Sequence, residues 1–256
     1  MEVERTMERI TSRGNALLTH MKKLAATGSY RRACGEYLCD SPKLLEEAVK
    51  WNAPLTAVVC TEGVELPELP SVRTACVPAD VMASVSPMKS PQGVLFTCRL
   101  PETNLPEILL GRRYVVLDGV QDPGNVGTVL RTLDAFDFDG LILLEGCADA
   151  FSPKTVRSTM GAIFRRPVYV TTAEQLKPVL ASSGIPLYGA ALRDDTKDAR
   201  EVSYERCALA IGSEGRGLTA QMLSLCDATI RIPMSERCES LNAAIAAAVL
   251  LWEAYR

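Results

Sequence analysis

The 256-residue chain reads as an α/β protein with a smaller α/β unit over residues 1–100, a linker over 101–112 and a larger parallel-sheet domain over 113–256. Three observations predict this. From Arg113 onward, short apolar runs without polar alternation, such as Tyr114-Val115-Val116-Leu117 and Cys207-Ala208-Leu209-Ala210-Ile211, alternate with helical segments. Runs of that kind suit parallel strands covered on both faces. Before them, Leu100-Pro101-Glu102-Thr103-Asn104-Leu105-Pro106 sets two prolines among polar residues and breaks the chain into units. Finally, polar or glycine-bearing segments follow three of the later strands, at the position where open α/β sheets bind ligands.

In the first unit, Ser12 to Leu24 has a helical apolar rhythm, and Pro42 opens a helix through Val49 because proline suits a helix N-terminus. Leu55 to Cys60 is a buried strand, Ala79 to Ser84 a short helix and Gly93 to Cys98 another strand. In the second, strands are expected at Tyr114–Leu117, Gly140–Leu144, Pro167–Val170, Leu187–Ala191, Cys207–Ile211 and Ala228–Ile232. Helices are expected at Val126–Ala135, Ser152–Gly161, Ala173–Ser182 and Ala220–Leu225, with a last one from about Leu241 to Tyr255. That last helix is apolar nearly all round, which predicts burial.

Composition narrows the function classes. Hydrophobic residues at 47% and charged residues at 23% are ordinary for a globular protein. The charged start, Met1 to Thr6, does not resemble a signal peptide, and the apolar run from Ala243 to Trp252 is too short to span a bilayer. Nine cysteines without a Cys-x-x-Cys pair argue against a disulfide framework and against a zinc site. A reduced cytoplasmic protein without bound metal is expected. The net charge of −3 means that any nucleic-acid binding rests on local basic patches. Candidates are Lys22-Lys23, Arg31-Arg32, Arg157 and Arg165-Arg166.

The chemistry-bearing segments come in order. Asp118 to Asn125 is a polar loop after a strand and before a helix; Asn125 is placed to cap that helix, Gly127 permits close approach, and Arg131 sits further along it. Ser152-Pro153 opens a helix carrying Arg157 and ending near Gly161. Gly212-Ser213-Glu214-Gly215-Arg216-Gly217 lacks the Gly-Lys-Ser/Thr of a phosphate loop and the spacing of a dinucleotide fingerprint, and Glu214 would repel phosphate. Such a turn suits a neutral or cationic ligand offering a purine and a ribose. Last, Ile232-Pro233-Met234-Ser235-Glu236 leads through Ser240-Leu241-Asn242 into an alanine-rich helix.

In this order the three motifs, Asn125-x-Gly127-x-x-x-Arg131, the Gly212–Gly217 loop and Ile232-Pro233-Met234 with Ser240-Leu241-Asn242, resemble the SpoU (TrmH-type) family of RNA ribose 2′-O-methyltransferases of the SPOUT superfamily. The resemblance covers residues from about 113 to 256; the glycine often found after Ile-Pro-Met is replaced here by Ser235-Glu236. It implies a deep trefoil knot in the C-terminal domain, S-adenosyl-L-methionine as cofactor, and a homodimer with the pocket beside the interface. It implies catalytic roles for Asn125, Arg131, Glu214, Ser240 and Asn242, and cofactor contacts from Ala190, Gly212, Ile232, Met234 and Leu241. The first unit is similar, more loosely, to the ribosomal-protein-like substrate-binding domain of the ribosomal-RNA branch, with Cys39-Asp40 where members often have Glu-Gly. RNA contacts are expected from Arg157, Arg165, Arg31 and Arg32, and the single His20 is expected to be a surface or packing residue.

The implied reaction is methyl transfer to a ribose 2′-hydroxyl, with ribosomal RNA favoured over transfer RNA. Glu214, Ser240 and Asn242 are expected to hold Arg131 or the ribose, with Asn125 lining the same pocket, and Arg131 either accepts the hydroxyl proton or orients the hydroxyl. The first requires strong help, because free arginine keeps its proton above about pH 12. Competing readings are a catalytically silent RNA-binding homologue, a nucleotide-dependent enzyme on a doubly wound sheet, and base rather than ribose methylation.

Overall fold

The computed structural model describes residues 7–69, 71–193, 195–235, 237 and 240–256. The charged start Met1–Thr6 and Glu236, Cys238 and Glu239 of the third motif lie outside the described residues. The chain divides into two units, residues up to Pro101 together with Phe151–Arg157, and Glu102–Ala150 together with Ser158–Arg256.

The first unit runs β1 (Glu8–Arg9), α1 (Ala16–Ala26), α2 (Gly28–Cys34), β2 (Glu36–Asp40), α3 (Pro42–Lys50), β3 (Leu55–Thr61), β4 (Arg73–Val77), α4 (Ala79–Val85) and β5 (Val94–Arg99). Its mixed sheet has the order β1-β4-β3-β5-β2, with β5 antiparallel to both neighbours. Leu18, Met21 and Leu24 of α1 and Val81, Met82 and Val85 of α4 pack with Val59, Ala75 and Leu95 of the sheet into a core. Helix α1 starts later than its apolar rhythm suggests, because the Asn15 side chain accepts the Leu17 amide and caps it there. Strands β2 and β4 give no clear sequence signal: β2 has acidic ends, and β4 carries an arginine and an alanine. Phe151–Arg157, assigned by sequence to the C-terminal domain, packs in this unit. Phe151 meets the Tyr37 ring edge-on at 5.1 Å between centroids. Arg157 pairs with buried Asp40, and both contacts join residues more than a hundred positions apart in sequence.

The second unit runs β6 (Arg113–Asp118), α5 (Pro123–Ala135), β7 (Gly140–Leu144), α6 (Pro153–Ser158, shared with the first unit), β8 (Val168–Thr171), α7 (Ala173–Ser182), β9 (Leu187–Ala190), β10 (Lys197–Asp198), β11 (Cys207–Gly212), α8 (Ala220–Leu225), β12 (Ala228–Arg231) and α9 (Ala243–Tyr255). The sheet order is β10-β12-β9-β11-β6-β7-β8, and every pairing is parallel. Because side chains alternate along a strand, Tyr114, Val116, Ile142 and Ala210 cover one face, where they pack with Leu176 and Leu180 of α7 and Met222 of α8. Val115, Leu117, Leu141, Leu209 and Ile211 point the other way and are buried too; α5 packs on β7 and α9 on β11. The expected linker is not free: Thr103 accepts the Val170 amide at 2.7 Å and Asn104 bridges to Val170, so it lines the outer edge of β8.

Two helix expectations need correction. The helix expected over Ser152–Gly161 stops at Ser158, and Met160 and Gly161 turn with positive φ (49° and 93°) into a single 3₁₀ turn, Ala162–Phe164. Helix α9 is not buried all round. Ala243, Ala244, Ala247, Leu250 and Leu251 are buried, whereas Ile245 (53% exposed), Val249 and Trp252 (54%) form an outward apolar stripe at i, i+4, i+7 spacing.

Candidate active site

A cleft of about 390 Å³ opens at the C-terminal ends of β9, β11 and β12. It lies where neighbouring parallel strands release their chains into loops. Ala190, Gly212, Ile232, Met234 and Leu241, the five positions expected to hold cofactor, all line it, as do Glu214 and Ser240. Sequence reasoning missed Leu192, Ser213 and Arg231, which line it as well; their one signal is position, each at or just past the end of a strand.

Its floor is the glycine-rich loop. Ser213 and Gly217 exchange backbone hydrogen bonds (3.1 and 2.9 Å), folding the five residues into a tight hairpin. A Cβ on Gly212 would lie 2.0 Å from the Gly217 carbonyl carbon and 2.2 Å from the Leu218 nitrogen, so only glycine lets the loop close over the strand end. Gly217 itself has φ 65°.

Glu214, on that loop, accepts a hydrogen bond from the Asn125 side-chain amide. The Asn125 carbonyl oxygen in turn accepts from the Asn242 amide at 3.3 Å. One residue from each sequence motif thus forms a single chain, and Asn125 is oriented from both ends. The Asn242 oxygen is engaged separately, accepting the Ala244 (2.9 Å) and Ile245 (3.3 Å) amides as the N-cap of α9. Asn125 does not cap α5: that role falls to Asp122, whose Oδ1 accepts the Asn125 backbone amide at 3.0 Å. Proline at the first helical position moves the helix start three residues earlier and frees the Asn125 side chain for Glu214.

Arg131 is not gathered into this chain. Its side chain is exposed, shares the outer face of α5 with Thr128 and Ala135, and makes no hydrogen bond or ion pair among the described residues. Glu214 and Asn242, expected to hold Arg131 or the ribose, both bond Asn125.

The arginines expected to touch RNA fare differently from one another. Arg31 is 5% exposed and donates to the Leu24 carbonyl at 2.6 Å, so it braces α1 against α2 and does not present its guanidinium at the surface as expected. The guanidinium of Arg157 is committed to Asp40, whose carboxyl burial pushes up and Arg157 pulls back down only in part. Arg165 and Arg166 both bond Asp134, at 2.7 and 2.8 Å. Arg32 is exposed. His20 is half-buried, with Nδ1 at 3.0 Å from the Tyr30 hydroxyl and Nε2 at 2.9 Å from Glu36. Among the described residues, no three His, Cys, Asp or Glu side chains converge as a metal site. No helix among them is long and apolar enough to cross a membrane.

Comparison with known proteins gives a consistent result. Residues 112–252 match the model of the SpoU rRNA Methylase family. The chain is 32% identical over 248 residues to the 23S rRNA (guanosine(2553)-2′-O)-methyltransferase RlmP of Bacillus subtilis, covering 96% of this chain and 98% of that one. It is also 32% identical over 265 residues to the 23S rRNA (uridine(2479)-2′-O)-methyltransferase of Streptomyces viridochromogenes, with 97% and 92% covered. Among solved structures, the SpoU methyltransferase AviRb of S. viridochromogenes in complex with AdoMet superposes with a TM-score of 0.83 at 29% identity, over 94% of this chain and 97% of that one.

Proposed function

The chain belongs to the SpoU rRNA Methylase family, and we propose that it transfers the methyl group of S-adenosylmethionine to a ribose 2′-hydroxyl of ribosomal RNA. The observation that carries this is the Glu214–Asn125–Asn242 chain beside the cleft, which joins all three motifs at one point. The two relatives named above as 23S rRNA 2′-O-methyltransferases span nearly the whole chain, and they favour ribosomal over transfer RNA.

The cleft fits S-adenosylmethionine. Its volume lies within the roughly 300–1,000 Å³ usual for small-molecule sites. Apolar side chains and strand-end backbone groups suit a purine and ribose, and among the described residues the ionisable groups lining it are Glu214 and Arg231. Bound there, S-adenosylmethionine supplies an electrophilic sulfonium methyl. Ala190, Gly212, Ile232, Met234 and Leu241 hold it, and the Glu214 carboxylate favours its positive charge. Asn125 is kept in a single orientation by its two partners, so its amide is preorganised for the ribose.

Arg131 meets the attacking hydroxyl in this reading. Its guanidinium donates hydrogen bonds to the oxygen as negative charge develops there, a role that needs no loss of its own proton. Because Arg131 stands apart from the chain of three, the same reading includes a homodimer formed through the Ile245–Val249–Trp252 stripe, next to which α5 packs on α9. It further includes a trefoil knot in the C-terminal domain, an RNA-binding role for the N-terminal unit with Arg32 at its surface, and a cytoplasmic location.

The test is transfer of radiolabelled methyl from S-adenosylmethionine to separated ribosomal and transfer RNA pools, followed by nucleoside analysis. A 2′-O-methylnucleoside in ribosomal RNA is the expected product. A methylated base, or label in transfer RNA alone, overturns the stated substrate or chemistry; absence of cofactor binding overturns the enzyme itself.

A further inference from the structure

Asp118 is the last residue of β6 and lies directly beside Gly212 in the register with β11. It is one of the few buried charged residues among those described, 5% exposed. Its Oδ2 accepts the backbone amide of Thr219 at 2.7 Å, across 101 positions of sequence. Thr219 is where the glycine-rich loop ends and α8 begins; its own hydroxyl accepts the Met222 amide at 3.1 Å as the helix cap.

Two hydrogen bonds therefore close a ring. One path runs from Asp118 along its loop to Asn125 and across to Glu214; the other runs from Glu214 through Gly215–Leu218 to Thr219 and back to Asp118. The glycine-rich loop is clamped at its entrance by the Ser213–Gly217 exchange and at its exit by the Asp118 carboxylate. A charge-assisted bond to a backbone amide is roughly twice as strong as a neutral one. Burial of the carboxylate shields it from competing water.

We propose that Asp118 is a positioning residue for methyl transfer: by holding the Thr219 amide it sets the height of the loop that floors the cofactor cleft and presents Glu214 to Asn125. This rests on the methyltransferase reading above. The essential property is an acceptor oxygen at that point, so Asn, whose carbonyl oxygen can take the same place, preserves much of the function, whereas Ala leaves the Thr219 amide without its partner.

Hydrogen–deuterium exchange across residues 213–219, calorimetric titration with S-adenosylmethionine, and thermal unfolding on one set of proteins decide the matter. In Asp118→Ala, loop exchange should accelerate and the Kd for S-adenosylmethionine rise, each about tenfold or more, with the melting point still well above the assay temperature. Asp118→Asn should lie within about threefold of wild type on both. If Asp118→Ala does not fold, the donor can be removed instead. Thr219 has φ −64°, which proline accepts. Thr219→Pro deletes the amide and should weaken cofactor binding as Asp118→Ala does, whereas Thr219→Ala, which loses only the helix cap, should not. The proposal is overturned if cofactor affinity survives loss of either partner, or if Asp118→Asn is as impaired as Asp118→Ala. Failure of the wild-type protein to bind S-adenosylmethionine would instead sink the methyltransferase reading, with loop exchange still deciding the part played by Asp118.

Discussion

Gly212→Ala is the most sharply defined perturbation of the cleft. The added Cβ would stand 2.0 Å from the Gly217 carbonyl carbon and 2.2 Å from its oxygen. Ordinary carbon contacts lie at about 3.5–4.0 Å, so something must move by about 1.5 Å. β11 is held between β9 and β6, and the neighbouring atoms are backbone rather than flexible side-chain ends, so the loop has to yield. Lifting it breaks the paired Ser213–Gly217 hydrogen bonds, at about 1 kcal/mol each. A loss of about 2 kcal/mol lowers the melting temperature of a chain this size by roughly 4–8 °C. The larger effect is on function: the loop carries Glu214 and floors the cleft, so affinity for S-adenosylmethionine should fall by more than tenfold. Differential scanning calorimetry and isothermal titration read both effects. A variant that melts within 1 °C of wild type and binds cofactor within twofold would refute the argument that the loop closes on Gly212.

Arg131→Ala should keep cofactor affinity and fold while turnover falls about 10²–10³-fold, the usual loss on removing one transition-state donor; unchanged turnover with ribosomal RNA removes Arg131 from the mechanism. Asn242→Asp separates two roles of one side chain. It retains the oxygen that caps α9, so stability should hold to within about 1 kcal/mol. It loses the N–H given to Asn125, so methyl transfer should drop sharply; equal loss of stability and activity would show that capping alone matters. Trp252→Glu places a charge on the apolar stripe of α9 and should shift the sedimentation coefficient to that of a monomer; a wild type that already sediments as a monomer contradicts the dimer. The Asp40 carboxyl is raised above its ordinary 3.8, burial outweighing the pull of Arg157. A folded-state pKa above the unfolded one means that its contribution is fully present below 3.8 and lost as pH rises through the raised value. Relative to Asp40→Asn, wild type should therefore gain melting temperature between neutral pH and about pH 4, and a pH-independent difference excludes this account.

The parallel sheet was legible because its strands are uninterrupted apolar runs, and burial on both faces demands that pattern. Strands β2 and β4 were not, since they carry charged or weakly strand-forming residues whose pairing is settled by neighbours far along the chain. Periodicity also predicted burial for all of α9 from its composition, yet hydrophobicity alone cannot say which side of a helix finds a neighbour. Ala243, Ala247 and Leu250 are buried; Ile245 and Val249 stay largely exposed, and Trp252 is covered only along one edge, by the Phe136 ring.

At the site the division is similar. Residue types and their order along the chain are local properties, so Asn125 after β6, Glu214 after β11 and Asn242 after β12 were legible as polar groups beyond strand ends. Which groups touch was decided only by the tertiary structure. Asp122 took the cap position and released Asn125 to Glu214, Arg31 went inward, and Asp118 reached across 101 residues to Thr219. Hydrogen bonds of this kind depend on fixed distances and directions between distant backbone segments, and no periodicity or spacing in a sequence encodes them.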